Sequence, residues 1–415
     1  MSKCFIDILY LIVVKYHRHY IKERSFIMIT KIINAVLVTD TLLYGKSLYI
    51  KDERICAITD AELDCDNIID AGGAYLSPGF IDIHTHGAGD RDFADGTVED
   101  ILVGAQAHAR FGTTTVFPTC TSSSFDDTVR FIENVKKAMK ENAPGKPQIA
   151  GSHLEGPYFS QTMRGAQNPE YVRLPDPREY KAFVKAGEGT VRRMSFAPEL
   201  EGAGELCDYL QEQGIIASFG HTDGVYKEIK PLIDKGCLLA THLYSGMNTV
   251  VRRELMRNLG AVETSFLEDD VTVEVIADGI HLPSELLKLI YKIKGADKIC
   301  LITDSMRGAG MGEGHSVLGP KHDGMDCVIK NGVAYLCDMT GFAGSVATAD
   351  RLVRVMYKQA GMPLCECIRM MCKTPASVMK LENVGEIKEG CYADLVFFDD
   401  DINIKRVFTR GKELS

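Results

Sequence analysis

The sequence predicts an α/β protein, a (β/α)8 barrel with a small β-sandwich domain built from both ends of the chain. Between residues 78 and 302 there are eight short apolar segments, with amphipathic helical segments between most of them. Eight alternating βα units are typical of a closed parallel barrel. On both sides of this region the chain has further short strand patterns. With 415 residues, it is long enough for one large and one smaller domain.

The first 27 residues are expected to be a non-native N-terminal extension. Residues 5–14 are apolar and residues 15–24 are basic. The apolar run is too short to span a bilayer, and no small-residue cleavage site follows it. The first convincing strand begins at Met28, where we expect translation to start. A weak membrane anchor is the alternative interpretation.

Residues 28–77 are predicted to form the first part of the β-sandwich. Strand-like segments occur at residues 32–38, 47–50 and 54–58, with turn residues between them. No helix of convincing length is indicated in this region.

Residues 78–375 are predicted to form the barrel domain. Its strands are expected at residues 78–87, 113–117, 148–154, 193–197, 215–219, 238–241, 271–276 and 298–302. Intervening helices are indicated at residues 98–111, 204–213 and 283–293. Beyond the eighth strand, we expect strands at 327–329 and 333–337, followed by helices at 348–360 and 365–372.

Residues 376–415 are predicted to form the second part of the β-sandwich. Strand patterns at 393–398 and 404–408 resemble those of the N-terminal module. We therefore expect the two chain ends to pair in one small domain beside the barrel.

The composition limits the classes of partner and the compartment. The net charge is −10 and no basic patch stands out, so nucleic acid and membranes are not expected partners. The 13 cysteines are scattered, without a C-x-x-C pair. This pattern favours reduced thiols and a cytoplasmic location over a disulfide framework.

Six metal-capable side chains follow predicted strands. Each stands where a predicted barrel strand ends, and in such barrels the catalytic residues lie at the carboxyl ends of the strands. The six residues are His84, His86, Glu155, His221, His242 and Asp304. Any one alone could be an ordinary polar residue, and Asp304 could be a helix N-cap. Together they predict a site for one or two divalent metal ions, because a carboxylate such as Glu155 can bridge two ions. Zinc is favoured, and iron, manganese and cobalt are compatible with these ligands.

Five motifs carry a resemblance to a known family. They are His153-Leu154-Glu155-Gly156-Pro157, Gly220-His221-Thr222-Asp223, Ala240-Thr241-His242-Leu243-Tyr244, Ala277-Asp278-Gly279-Ile280-His281 and Ile302-Thr303-Asp304-Ser305. With the opening His-x-His, they resemble the amidohydrolase superfamily and, within it, the N-acetylglucosamine-6-phosphate deacetylases. The resemblance implies hydrolysis of the N-acetyl group from a phosphorylated amino sugar. It also implies that Asp304 is the catalytic residue, taking a proton from water and delivering it to the departing nitrogen.

The resemblance also implies a set of substrate-binding residues. Arg253 would bind the phosphate and reach the site of the neighbouring subunit, which implies a homodimer. The other expected contacts are Ala166, Gln167, Ser245, Gly246, Asp278, Gly279, Ile280, His281, Phe342, Ala343 and Gly344. Gln167 stands where some members have His, Ser245-Gly246 replaces Asn-Ala, and Leu255-Met256 replaces Pro-Gly. We expect these changes to affect the choice of sugar rather than the metal ligands.

Three other functions remain open from the sequence. The first is deacetylation of N-acetylgalactosamine 6-phosphate, and the second is another amidohydrolase reaction on a small amide. The third is a non-catalytic scaffold, which would predict missing ligands, whereas all six are present.

Overall fold

The structure is a computed structural model that describes residues 28–143, 145–339 and 341–414. The predicted extension at residues 1–27 lies outside these ranges. Among the described residues, no helix is both long and apolar enough to cross a membrane. The described cysteines are all free thiols.

The predicted barrel is confirmed. Its parallel strands are Phe80–Thr85, Thr113–Cys120, Gln148–Ile149 with Ser152–Glu155, Val191–Phe196, Ile216–Phe219, Leu239–Ala240, Thr272–Val275 and Ile299–Leu301. Nearly every residue of these strands is buried, which explains their continuous apolar and β-branched character. The first and last strands meet where the backbone N–H of Asp304 donates to the carbonyl of His84 at 2.9 Å. The carboxyl ends of all eight strands therefore share one rim.

Helices pack around the barrel, and the helix Lys373–Val378 packs against its first and last strands. The α-helices are Val98–Ala109, Phe125–Glu141, Pro177–Gly187, Ala203–Glu212, Tyr226–Asp234, Ala261–Leu267, Ser284–Lys294, Ala349–Arg354, Leu364–Met371 and Lys373–Val378. The local sequence determines where several helices begin. Thr97 and Asp100 form a capping box, and Asp176 caps a helix that begins with proline. The helix expected at 348–360 changes character after Arg354, where the π-helical turn Val355–Gln359 follows. A single 3₁₀ turn spans Ala296–Lys298.

The β-sandwich is built from both ends of the chain, as predicted. One sheet has the order Arg54–Thr59, Ser47–Lys51, Ile29–Ile33, Asn67–Asp70. The other has the order Lys412–Glu413, Ile404–Thr409, Leu395–Phe398, Tyr75–Pro78, Val36–Val38, Leu42–Leu43. Strand Leu395–Phe398 pairs antiparallel with Tyr75–Pro78. Leu48, Leu76, Phe397 and Phe408 belong to the shared apolar core.

The single strand expected at residues 32–38 is wrong. Asn34 takes a left-handed conformation with φ of 57°, which asparagine tolerates better than most residues. The chain therefore leaves one sheet at Ile33 and enters the other at Val36. Pro78 likewise ends a sandwich strand, and the barrel strand starts at Phe80.

Three small antiparallel excursions complete the described chain. A three-stranded sheet, Gly314–Leu318, Met325–Lys330 and Val333–Leu336, follows the eighth barrel strand. Two short hairpins pair Gly87–Ala88 with Arg91–Asp92, and Val251–Arg253 with Met256–Asn258. All three follow barrel strands on the rim that carries the six candidate ligands.

Candidate active site

The six side chains predicted as metal ligands converge on the barrel rim. Three of them, His221, His242 and Asp304, have positive φ values of 46°, 31° and 46°. Non-glycine residues rarely adopt this conformation, and it recurs at functional sites. Here it occurs two or three residues after the ends of barrel strands five, six and eight, where the chain leaves each strand.

His221 and His242, called here the loop-held pair, are oriented by backbone carbonyls. Nδ1 of His221 donates to the carbonyl of Met163 at 2.8 Å, and Nδ1 of His242 to that of Ser245 at 3.1 Å. In the neutral rings each Nε2 then carries a lone pair, and these atoms lie 3.1 Å and 2.8 Å from one oxygen of Glu155. Two lone pairs facing a buried carboxylate repel one another unless a cation lies between them, so the donor set fits a metal ion.

His84 and His86, called here the strand-one pair, face a second carboxylate. Oδ1 of Asp304 lies 3.3 Å from Nε2 of His84 and 3.1 Å from Nε2 of His86. The other oxygen of Glu155 lies 3.3 Å from Nε2 of His86. Nε2 of His84 is buried without a hydrogen-bond partner among the described residues. Such an orphaned nitrogen is expected of a metal ligand rather than of a satisfied polar core.

The donor atoms form three overlapping triads, each with its atoms within 4.8 Å of one another. The triads are His84, His86, Glu155; His84, His242, Asp304; and Glu155, His221, His242. Glu155 contributes to two of them, and its oxygens face different histidines, Oε1 the loop-held pair and Oε2 His86, so the arrangement could hold one or two ions.

The electrostatics also favour positive charge at this position. Burial opposes a charge on His84, but Asp304, Glu274 and Glu155 outweigh it and raise its pKa to about 9. Burial alone would raise the pKa of Glu155, yet the surrounding histidines hold it well below the usual range. The cluster therefore stabilises either protons on its histidines or a metal cation among them, and metal binding would displace those protons.

A buried ion pair beneath the cluster was missed by the sequence analysis. Glu274 and Arg193 are both fully buried and form an ion pair inside the barrel. The sequence contains a signal that could have revealed it, because Glu274 interrupts the apolar segment 271–276. A charged residue in a strand that is buried on both faces needs an oppositely charged or hydrogen-bonding partner. Such a residue therefore indicates a buried polar network.

A cavity of about 240 Å³ opens directly above the ligand cluster. Its lining includes seven of the predicted substrate-binding residues, namely Ala166, Gln167, Ser245, Gly246, His281, Phe342 and Gly344. Leu318, Ile276 and Thr121 also line it, and these were not anticipated. Asp278, Gly279, Ile280, Ala343 and Arg253 are not part of this lining.

Gln167 contacts the cluster directly. Its amide nitrogen donates to Oε2 of Glu155 at 2.8 Å, while its amide oxygen accepts the backbone N–H of Ser122 at 2.6 Å. Both ends of the amide are thus engaged, and Gln167 fixes the plane of the Glu155 carboxylate. The residue therefore contacts a candidate ligand as well as the cavity.

Asp278 orients His281 without lining the cavity. Its carboxylate accepts the backbone N–H of Ile280 and of His281, and its second oxygen lies 2.8 Å from Nδ1 of His281. The ring also packs against Phe342, with centroids 4.8 Å apart. Nε2 of His281 is consequently left available to the cavity as a hydrogen-bonding atom.

Arg253 is not among the residues that line the cavity. Its guanidinium contacts the carboxylate of Glu228 at 3.0 Å and the carbonyl of Asp223 at 2.7 Å. It stands on a hairpin whose tip residues Leu255 and Met256 are 80% and 70% exposed.

Comparison with known proteins places this architecture in a family. A model of the amidohydrolase family matches residues 75–414. The chain belongs to the amidohydrolase family. It is 30% identical over 370 residues to an N-acetylglucosamine-6-phosphate deacetylase of Lysinibacillus sphaericus, covering 88% of this chain and 92% of the relative. It is 28% identical over 378 residues to an N-acetylgalactosamine-6-phosphate deacetylase of Escherichia coli O157:H7, covering 91% and 97%.

Solved structures of this amidohydrolase branch share the whole fold. The N-acetyl-D-glucosamine-6-phosphate deacetylase of Mycobacterium smegmatis superposes with a TM-score of 0.84 at 30% identity, covering 94% of this chain and all of that chain. The enzyme of Pasteurella multocida gives a TM-score of 0.85 at 27% identity, covering 93% and 99%. A variant of the Mycobacterium enzyme, solved in complex with N-acetyl-D-glucosamine-6-phosphate, gives 0.85 at 30%, covering 94% and 99%. The predicted family is confirmed.

Proposed function

We propose that this amidohydrolase removes the acetyl group from N-acetyl-D-glucosamine 6-phosphate, giving D-glucosamine 6-phosphate and acetate in amino-sugar catabolism. The observation that carries the proposal is the convergence of Glu155, four histidines and Asp304 beneath one sugar-sized cavity. The names of the relatives and solved structures described above support the same substrate class.

The proposed cofactor is a divalent metal, one or two ions per subunit, held by Glu155 with the loop-held pair and by Asp304 with the strand-one pair. We favour zinc, because imidazole and carboxylate ligands suit it, and iron, manganese and cobalt are compatible alternatives. When bound, such an ion supplies Lewis acidity toward the amide carbonyl and toward water.

Asp304 is proposed as the catalytic residue. Its side chain is 15% exposed, more than any of the other five candidate ligands. One of its oxygens contacts both histidines of the strand-one pair, and the residue lines the cavity. The carboxylate can therefore accept a proton from the attacking water and deliver it to the amide nitrogen as the C–N bond breaks. This delivery matters because an unprotonated amine is a poor leaving group.

The proposed substrate contacts divide between the two sides of the cavity. Gln167 and the Ser245-Gly246 loop stand beside Glu155 and the loop-held pair, where the amide would lie. His281 offers Nε2 on the far side, supported by Asp278 and packed against the tilted ring of Phe342. The adjoining predicted residues Gly279, Ile280, Ala343 and Gly344 would shape this wall through their backbone.

Phosphate recognition is proposed to require a second subunit. No lysine or arginine is among the residues that line the cavity in the described part of the chain, yet a phosphate dianion calls for a cation. Arg253 is a suitable donor, since its exposed hairpin could insert into a neighbouring copy. We therefore propose a homodimer in which Arg253 completes the partner's site, and the exposed Leu255 and Met256 pack against that partner.

The location and domain organisation follow the sequence analysis. We propose a cytoplasmic enzyme without nucleic-acid or membrane partners, on the basis of its acidic charge and scattered cysteines. We also propose that residues 28–77 and 376–415 act as one sandwich domain, and residues 78–375 as the hydrolase domain.

Deacetylation of N-acetylgalactosamine 6-phosphate is the second candidate function. Two observations favour it: relatives of that name from Escherichia coli and Shewanella match at 28% and 30% identity, and the rim loops differ from the family pattern at Gln167 and at Ser245-Gly246. The two sugars differ only in the orientation of one hydroxyl, which such loops would contact.

Acetate release tests these proposals directly. The purified chain is incubated with each of the two sugar phosphates and with both unphosphorylated sugars, with added zinc and with a chelator. We expect zinc-dependent turnover of the glucosamine derivative and much weaker turnover without phosphate. Preference for the galactosamine derivative would establish the second candidate. If zinc-loaded protein turned over neither of the two sugar phosphates, the proposed function would be contradicted.

A further inference from the structure

Glu274 links the two halves of the candidate metal centre. One of its oxygens, Oε2, lies 3.1 Å from Nδ1 of His84 and 3.1 Å from the backbone nitrogen of His242. Both nitrogens can donate to this carboxylate, so a single buried oxygen would receive two hydrogen bonds from two candidate ligands. Glu274 itself does not line the cavity, and its side chain is fully buried.

Arg193 holds Glu274 from below. Its guanidinium pairs with Oε1 of Glu274 and donates further to the hydroxyls of Ser218 at 2.9 Å and Thr241 at 3.1 Å. The same hydroxyls also contact the Ser195 hydroxyl, at 2.7 Å and 3.0 Å. The ion pair therefore sits in a fully buried polar network in which the orientation of the Glu274 carboxylate is fixed.

Stability alone does not explain a charged pair at this position. Desolvating two charges offsets much of their attraction, and apolar residues of similar volume often serve a core equally well. Metal-ligating histidines, by contrast, generally donate their second ring nitrogen to an acceptor that fixes the ring and raises its basicity. Glu274 provides such an acceptor for His84, and it is the only charged acceptor that contacts Nδ1 of a candidate ligand among the described residues.

We propose that Glu274, held by Arg193, is a positioning residue that selects the Nδ1-protonated form of His84 and so builds the metal position of the strand-one pair. The inference rests on the proposed metal centre. It predicts that the two metal positions differ in what supports them. The imidazole rings of the loop-held pair depend on the carbonyls of Met163 and Ser245, with Glu274 accepting only the backbone N–H of His242, whereas the ring of His84 depends on the buried carboxylate itself.

The test measures zinc occupancy rather than turnover. Arg193→Met/Glu274→Met removes the acceptor without leaving an unpaired buried charge, and the remaining hydroxyls can still bond one another. After dialysis against solutions of buffered free zinc, zinc per chain is determined by mass spectrometry of the element. We expect the wild type to bind two ions, and the variant to bind the second ion about 10- to 100-fold more weakly. Arg193→Met/Glu274→Gln keeps an oxygen that can accept from His84, with no guanidinium facing its NH2 group, and should retain most of that affinity.

The matched control is a second buried ion pair, which lies in the loops of the rim. Asp95 and Arg307 are 6% and 2% exposed and form two hydrogen bonds of 2.9 Å and 2.8 Å. Asp95 otherwise accepts from the backbone of Asp92 and Lys321, and these contacts involve no candidate ligand. Arg307→Met/Asp95→Met should therefore keep the zinc content of the wild type, and thermal unfolding of each variant reports any general loss of structure.

Several outcomes would overturn the inference. Wild-type affinity for both zinc ions in Arg193→Met/Glu274→Met would do so, as would an equal loss of zinc affinity in the control variant Arg307→Met/Asp95→Met.

A measurement on the unsubstituted protein covers the case in which a variant does not fold. ¹⁵N NMR of the zinc-loaded wild type should show His84 protonated at Nδ1 and coordinated through Nε2. A wild type that binds one zinc and still releases acetate would refute this inference and leave the proposed function standing. Protein that binds zinc but releases no acetate would refute the function instead.

Discussion

The two histidine pairs of the centre are supported by different parts of the molecule. The strand-one pair lies at the end of a barrel strand, where Glu274 contacts His84 from the barrel interior. The loop-held pair is oriented by two carbonyls, those of Met163 and Ser245, from rim loops. The barrel interior is shielded from changes in loop sequence, but the rim loops also line the cavity. Changes that adapt the loops to a substrate can therefore also alter the loop-held pair.

Gly246 shows this coupling directly. It has a φ of 59°, and a Cβ placed on it would lie 2.7 Å from Nδ1 of His221 and 3.0 Å from the carbonyl of Met163. We expected the Ser245-Gly246 change to affect only the substrate side. In the structure, this loop contacts both members of the loop-held pair, because the carbonyl of Ser245 also accepts from His242.

The largest effect is expected for Asp304→Asn, which removes the proposed proton carrier from between the two pairs. Asparagine keeps the shape and one oxygen, so zinc content should change little. The turnover number should fall about 100- to 10,000-fold, the usual contribution of general acid–base catalysis. Acetate release and zinc content measured on the same sample test this. Near-normal turnover would remove Asp304 from its proposed role.

Removing one ligand from each histidine pair compares their contributions to turnover. His221→Gln removes a ligand from the loop-held pair and His86→Gln removes one from the strand-one pair. Because both histidines of the loop-held pair share one oxygen of Glu155, we expect His221→Gln to abolish most turnover. His86→Gln should lose one zinc and keep more activity, because Glu155, His221 and His242 still form a complete triad. Equal losses of activity would mean that both pairs act as one unit.

Arg253→Ala tests whether Arg253 supplies the cation that binds the phosphate. Hydrogen bonds to charged groups contribute about 1.5–3 kcal/mol, which predicts a rise in KM of roughly 10- to 100-fold for the phosphorylated sugar. The KM for the unphosphorylated sugar should not change. Arg252→Ala is the matched control, since its side chain is exposed and donates to the carbonyl of Leu255. Equal changes in KM for both sugars would exclude the phosphate-binding role.

Gly246→Ala is expected to have the smallest effect. The added methyl group would displace either the His221 ring or the Met163 carbonyl, and we expect a loss of zinc affinity of about 10-fold or less, the lower end for groups that support metal ligands. Gly214→Ala is the control for backbone strain, because its φ of 68° is similar and no atom lies within 4 Å of its added Cβ. If both variants bind zinc equally well, the loop does not support His221 as described.

Much of the fold and the ligand set could be predicted because they depend on local patterns. Apolar β-branched segments alternate with helical ones, and the carboxyl ends of parallel barrel strands meet on one rim, so residues at those ends must converge. The same reasoning failed at Asn34, where a polar residue in left-handed conformation redirects the chain between two sheets. Short apolar runs do not show which sheet they will join.

The sequence by itself determined the barrel, the pairing of the chain ends and the identity of the six converging side chains. Only the tertiary structure decided which atoms support them. The contact between Glu274 and His84 joins residues 190 positions apart, and the one between Gly246 and His221 depends on how two rim loops fold over each other. Such contacts leave no periodic signal, because they depend on the distances between side chains from separate strands rather than on the repeat of any one strand.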